Sequence, residues 1–270
     1  MSTYFIGDVH GCYDALQRLL AHINYQPEHD HLWFAGDLVN KGPDSLRCLQ
    51  LILSLPHANS VLGNHDLHFL ALAARVLPEH KSHNMQDIID SHDCERIVDW
   101  LRHRPLLHCD PRGTLVHAGL HPEWTLPAAQ GYAHELETLL QGDQWRDLLA
   151  NMYGNIPADW QENYQKWDRM RSLINIFTRM RFIDEQGCLD FSETNRDTNQ
   201  AHLYPWYQRC QIATPGCPVY FGHWASLQGR SLHPHYISLD GGCVWGGKLI
   251  AIEALKQALF QVPAASPTEG

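Results

Sequence analysis

The chain has 270 residues, 44% of them apolar and 19% charged, a composition that supports a real hydrophobic core. No run of eighteen apolar residues occurs, so no segment is expected to span a membrane, and Met1–Ile6 lacks the basic start of a secretory signal. A formal net charge of −10 with no lysine- or arginine-rich block excludes bulk attraction to nucleic acid or to an anionic membrane, though not an anionic substrate met by bound cations.

In chain order, Tyr4–Ile6 is a short strand candidate, and Tyr13–Ile23 puts Leu16, Leu19, Leu20 and Ile23 on one helical face. His31–Ala35 reads as a second strand, followed by a helix over Asp44–Leu55 that starts after Gly42-Pro43. Ser60–Leu62 gives a third strand and Leu67–Val76 a third helix. This alternation predicts a layered α/β domain with right-handed crossovers. From about residue 123 to 179 the pattern is helical and rich in tryptophan and tyrosine, with a break near Gly154–Pro157. Strand-like runs return at Val219–Gly222, Tyr236–Leu239 and Lys248–Ile252. The expected organisation is one domain over 1–262, a helical insertion at about 123–180 lying over the site as a cap, and a disordered tail at 263–270.

Eight cysteines are scattered with no C-x-x-C pair, which argues against a thiolate zinc site or a disulfide framework and predicts reduced thiols in a cytoplasmic protein. His80, His83 and His92 read as solvated loop.

Three motifs follow the three N-terminal strands: Gly7-Asp8-Val9-His10-Gly11, the Gly36–Pro43 run GDLVNKGP, and Gly63-Asn64-His65-Asp66. Each starts with glycine directly after an apolar run. In an α/β sheet that is the carboxyl end of a strand, where ligand sites form and where glycine lets the backbone turn. Asp8 and His10 are two apart and would share a side on an extended segment. Asp37 could bridge two ions through its two oxygens, and Asn64 offers a neutral carbonyl. Val116-His117-Ala118-Gly119 and Phe221-Gly222-His223-Trp224 each end an apolar run in histidine beside glycine and are candidates to complete the shell. Mixed oxygen and imidazole ligation without thiolate suits manganese, iron, cobalt, nickel or zinc at a non-structural site.

The ordered set GDVHG, GDLV…GP, GNHD, HAG and GH resembles the calcineurin-like metallophosphoesterases, the superfamily of the PPP-type protein phosphatases. Within it, GDLVNKGPDSL, LGNHDLH, VHAGLHP, FTRMRF, FGHWASL and LDGGCVWGG are similar to the bacterial symmetrical diadenosine tetraphosphatases, over about residues 3 to 252. The resemblance implies a four-layer α/β/β/α sandwich with a helical cap. It implies a first metal on Asp8, His10 and Asp37, and a second on Asp37, Asn64, His117 and His223, with manganese or cobalt the first choices. It implies His65 as general acid, oriented by Asp66. Lys41 stands where the family usually has a phosphate-binding arginine, and one of Arg179 and Arg181 would supply a second phosphate clamp.

The implied reaction is hydrolysis of diadenosine tetraphosphate at its midpoint to two ADP, by a hydroxide held between the metals. Capped RNA 5′ ends stand as a further partner to test. Trp124, Trp145, Tyr153, Trp160, Tyr164 and Trp167 give the insertion aromatic faces on which purines could stack. Two rivals remain: a protein serine/threonine phosphatase, against which Asp66 and Lys41 weigh, and a non-enzymatic metal- or nucleotide-binding regulator. The absence of a G-x-G-x-x-G after the first strand argues against a dinucleotide-binding dehydrogenase.

Overall fold

The structure is a computed structural model and describes residues 1–77, 84–231 and 233–264. The N-terminal part runs β1 (Thr3–Ile6), α1 (Tyr13–His22), β2 (His31–Phe34), α2 (Ser45–Ser54), β3 (Ala58–Ser60), α3 (Asn64–Ala73), α4 (Gln86–Ile89) and α5 (Cys94–Arg102). A hairpin, β4 (Leu107–Asp110) and β5 (Gly113–Val116), leads into α6 (Leu126–Gln141), α7 (Trp145–Asn151) and α8 (Lys166–Arg179). Three two-residue strands follow, β6 (Phe182–Ile183), β7 (Leu189–Asp190) and β8 (Tyr204–Pro205). The chain then forms β9 (Val219–Phe221), β10 (Tyr236–Ser238), β11 (Lys248–Glu253) and β12 (Ala258–Pro263).

Two main sheets result, ordered β12-β11-β1-β2-β3 and β10-β9-β5-β4, with a small β7-β6-β8 sheet beside them. In the first sheet β1, β2 and β3 are mutually parallel; in the second β5, β9 and β10 are. β1 is buried on both faces, and its alternation divides the core. Phe5 points between the sheets, where its ring meets Tyr220 of β9 at 4.4 Å, joined by Leu115, Ile250 and Ile252. Tyr4 and Ile6 point the other way, into the core shared with Leu16 and Leu19 of α1 and Leu49 of α2. This is the expected α/β/β/α layering. Among the described residues no helix is long and apolar enough to cross a membrane.

Several expectations shift. β3 lies at 58–60, two residues earlier than Ser60–Leu62, and α3 starts at Asn64 instead of Leu67. The reason for the early helix is Asp66, whose carboxylate accepts the Gly63 N–H at 2.9 Å and caps the first turn. The break in the insertion runs over the whole of 152–165, beyond Gly154–Pro157. β4, β6 to β8, β12 and α4 are not among the expected elements, nor is α5, although Ile97 and Leu101 share one face of it at helical spacing. Pro263, assigned above to the tail, belongs to β12, and Ala264 N–H donates to the Gly247 carbonyl at 2.8 Å. His92 is exposed in the turn before α5, as expected; His80, His83 and 265–270 lie outside the described residues.

The inter-sheet ring pair makes Phe5→Ala a cavity mutation that neither sheet can close alone. It should cost about 3–5 kcal/mol in urea unfolding, and a loss under about 1 kcal/mol would contradict the packing described.

Candidate metal centre and adjoining pocket

Each of the six parallel strands ends in a loop that carries a polar, chemistry-bearing residue. Asp8 and His10 follow β1, Asp37 follows β2, and Asn64 and His65 follow β3. From the second sheet, His117 follows β5, His223 follows β9 and Asp240 follows β10. The loops are tied to one another by backbone bonds, His10 N to Asp37 O at 2.8 Å and Gly222 N to His117 O at 2.8 Å among them. Asp8 and His10 are not on an extended segment as expected: His10 has φ 47°, in the left-handed region. Asp37, Asn40, Lys41 and His223 share that conformation, which costs a non-glycine residue roughly 1–3 kcal/mol and is retained where the surroundings hold it. Glycines give the carboxylates their room. A Cβ on Gly63 would lie 2.1 Å from Asp37 Oδ1, and one on Gly222 would lie 2.0 Å from Asp8 Oδ1.

Two His/Asp clusters form, His10–Asp37–His65 and Asp37–His117–His223, each with ligand atoms within 4.8 Å of one another. Asp37 belongs to both. Its Oδ2 lies 3.5 Å from His10 Nε2 and 3.4 Å from His117 Nε2, and Asn64 Oδ1 is 3.2 Å from His117 Nε2. The other ring nitrogens face carbonyls. His10 Nδ1 donates to Val39 O at 3.1 Å, His117 Nδ1 to Ala35 O at 2.7 Å, and His223 Nε2 to Arg179 O at 3.1 Å. These bonds hold a proton on the outer nitrogen and turn the other one toward the cluster, the arrangement that metal-ligating histidines require; in His117 that inner nitrogen shares a proton with Asp37 until a cation displaces it. Asp8 sits slightly apart, its carboxylate accepting the His223 N–H at 3.0 Å. The donor set therefore fits divalent cations on observation of the protein groups alone.

Charge supports the same assignment. Burial pushes Asp8 well above the usual carboxylate range, and the Asp240 and Asp37 carboxylates add to it. Burial also raises Asp240, and burial with the Asp37 charge lifts Asp66 to about 7. Asp37 is the exception: burial would raise it, but His117, His65 and His10 outweigh that and hold it well below its usual range. Burial would lower His117, yet contact with Asp37 raises it to about 10. Protein groups alone leave these carboxylates short of positive charge.

Two site residues escaped the sequence. Asp240 is 5% exposed and interacts electrostatically with Asp8, Asp37, His10 and His117. Its signal was present, an Asp-Gly-Gly after the apolar run Tyr236–Leu239. The second is Asn40. Asp66 does not orient His65 as expected: its oxygens accept the N–H groups of Asp37, Leu38 and Gly63 at 2.8–2.9 Å, stitching two loops together. The His65 ring meets Asn40 instead, Nδ2 to Nδ1 at 2.9 Å, and Asn40 Oδ1 accepts the Lys41 N–H at 2.7 Å. With the amide oxygen so engaged, the NH₂ faces His65 and its Nδ1 must accept. His65 is thus held neutral with its proton on Nε2, in keeping with a value lowered to about 4 by burial, His10, Lys41 and His117 against Asp37.

A cavity of about 480 Å³ opens beside the centre. Its lining combines Asn40, Lys41, Asn64 and His65 from the strand-end loops with the apolar Leu67, Met152 and Ile174, with Tyr153 and with Arg179. Among the described residues Arg179 hydrogen-bonds to neutral oxygens, Gly154 O at 3.2 Å, Asn175 Oδ1 at 2.8 Å and Asn155 Oδ1 at 2.9 Å. Arg181 is turned inward, donating to the His223 carbonyl at 2.9 Å and facing Asp240, Asp37 and Asp8. Of the six aromatics named above as stacking candidates, Tyr153 alone is among the residues that line this cavity. Trp124, Trp145 and Trp160 are buried, Trp124 and Trp160 in ring contact with each other. Trp224 is core, packed against Phe182 and Tyr207.

A family profile described as calcineurin-like phosphoesterase matches residues 1–235. A relative from Nitrosococcus oceani named bis(5'-nucleosyl)-tetraphosphatase, symmetrical, is 43% identical over 262 residues, 95% of this chain and 94% of its own. A Legionella pneumophila (strain Corby) protein of the same name is 44% identical over 97% of each chain. A crystal structure described as a candidate diadenosine tetraphosphatase superposes with a TM-score of 0.65 at 26% identity, over 98% of this chain and 94% of that one. A Saccharomyces cerevisiae protein serine/threonine phosphatase superposes with a TM-score of 0.52 at 12% identity, over 100% of this chain and 81% of that one, which speaks for the fold alone.

Because His117 is raised to about 10, it carries a proton at pH 7 that must leave before Nε2 can bind a cation. Loading manganese should therefore release about one proton or more, and affinity should rise with pH below 10. Titration calorimetry at pH 7 in buffers of different ionisation enthalpy reads this directly. A heat independent of buffer would contradict the charge state.

Proposed function

The chain belongs to the calcineurin-like phosphoesterase family, and on that premise we propose that it hydrolyses diadenosine 5′,5‴-P1,P4-tetraphosphate at the central anhydride to two ADP. One observation carries this most: Asp37 is shared by two His/Asp clusters, and His65 of one of them lines a cavity that Lys41 and Arg179 also line. The names borne by full-length relatives supply the substrate.

Asp8, His10 and Asp37 would hold one divalent cation, and Asp37, Asn64, His117 and His223 a second. Manganese or cobalt comes first, with iron, nickel or zinc as alternatives. Bound there, the cations supply Lewis acidity that polarises the phosphoryl group and acidifies a water. Lys41 and Arg179 hold the non-bridging oxygens, Lys41 as a point charge without the bidentate fork of arginine. Arg181 offsets the buried carboxylates from behind and fixes the His223 backbone. His65 offers its Nε2 proton to the departing oxygen. A diphosphate leaves readily as an anion near neutral pH, so a hydrogen bond from neutral His65 can serve in place of full proton transfer. The insertion at about 123–180 forms the cavity wall through Met152–Gly154 and α8, as part of a single domain. All eight cysteines are free thiols, which suits the cytoplasm.

Incubation with diadenosine tetraphosphate and manganese should yield two ADP; ATP plus AMP would reject midpoint cleavage, and turnover of a phosphopeptide alone would favour a protein phosphatase. Capped RNA belongs in the same assay. His65→Ala should lower kcat about 10²–10³-fold with metal content unchanged. Metal lost in step with activity would remove the proton-donor role.

A further inference from the structure

Resting on the dinucleotide proposal but extending it, we infer that Tyr153 is the floor of a nucleoside subsite and contributes specificity for a nucleobase. Tyr153 follows the C-terminal end of α7 and is 42% exposed, unusual for so large a side chain this close to a buried centre. It is nevertheless held from both sides. Its hydroxyl bonds to His68 Nδ1 of α3 at 2.6 Å, with the two rings edge to face. The next residue, Gly154, has its carbonyl clamped by Asn175 Nδ2 at 3.0 Å and Arg179 at 3.2 Å, both from α8.

A ring fixed at its edge and at its backbone loses little freedom when a ligand lies on its face, and stacking does not require the base to be of one kind. Leu67, Met152 and Ile174 give the cavity that Tyr153 borders an apolar lining, and Lys41, Arg179, Asn64 and His65 line the same cavity. One cavity thus brings together an aromatic plate, cationic side chains and candidate metal ligands, the kinds of partner that the base, the phosphates and the scissile group of a nucleoside polyphosphate need. About 480 Å³ suits one nucleoside arm, not two, so the second arm would extend outside it.

The test measures binding, so it does not need turnover. Metal-loaded wild type, Tyr153→Ala and Tyr153→Phe are titrated with ADP and with inorganic pyrophosphate, after thermal melting confirms that each variant is folded. Tyr153→Ala should weaken ADP about tenfold or more and leave pyrophosphate within about twofold, while Tyr153→Phe, which keeps the ring and loses the His68 bond, stays near wild type for both. Equal weakening of both ligands would mean that Tyr153 only supports the loop, and no change in either would mean that no base rests on it. Both results overturn the inference, as would a wild type that binds neither ligand. A wild type that binds ADP with the expected Tyr153 dependence yet leaves diadenosine tetraphosphate intact would refute the substrate and spare the subsite.

Discussion

Four carboxylates, those of Asp8, Asp37, Asp66 and Asp240, occupy one buried region, each 5% exposed or less, and every other feature of the centre answers their mutual repulsion. Like charges in a low-dielectric interior cannot all ionise without partners. Asp66 is met by three backbone N–H groups and Asp37 by three histidines. Asp8 has one backbone donor and Asp240 has the Gly242 N–H at 2.9 Å, which leaves that pair to be compensated by Arg181 and by cations. Burial thus sharpens a charge deficit that a bound divalent cation would offset.

The same crowding explains the backbone. Left-handed residues at His10, Asp37, Asn40, Lys41 and His223 turn the chain sharply at the strand ends, and glycines at 63 and 222 admit carboxylate oxygens where a methyl would stand. Such strain persists because Asp66 and the inter-loop bonds hold each turn from outside it. The fold contributes direction. Two sets of three parallel strands bring all six loops to their carboxyl ends, so no single loop needs to be long.

Much of this was legible in residue order. Glycine followed by Asp, Asn or His after an apolar run marks four of the strand ends, a histidine closing the run before Ala118-Gly119 marks the fifth, and these five segments named every proposed ligand. Partnerships were less legible. Asp66 lies beside His65 in sequence, yet as a helix-capping side chain it points back at the backbone of the Asp37 loop, while the ring turns to Asn40. Arg179 and Arg181 are two apart, but one closes α8 and borders the cavity whereas the other precedes β6 and turns inward; spacing cannot separate them. The tryptophans of the insertion read equally well as stacking surface or as core, and burial decided for core in Trp124, Trp145 and Trp160. Two-residue strands such as β6 to β8 carry too few residues for any period to register.

The dispersal of the six loops over the chain, from Asp8 to Asp240, has a kinetic meaning. Closing such distant segments costs loop entropy before any contact repays it, so this centre belongs to the late-forming, high-contact-order part of the molecule. An early intermediate holding only the β1–α1–β2–α2–β3 half would own Asp8, His10, Asp37 and Asn64 but lack both histidines of the second sheet. Cation capture by the whole proposed set would then be a signature of the completed native topology, and metal supplied during refolding would stabilise the end state without guiding the chain toward it.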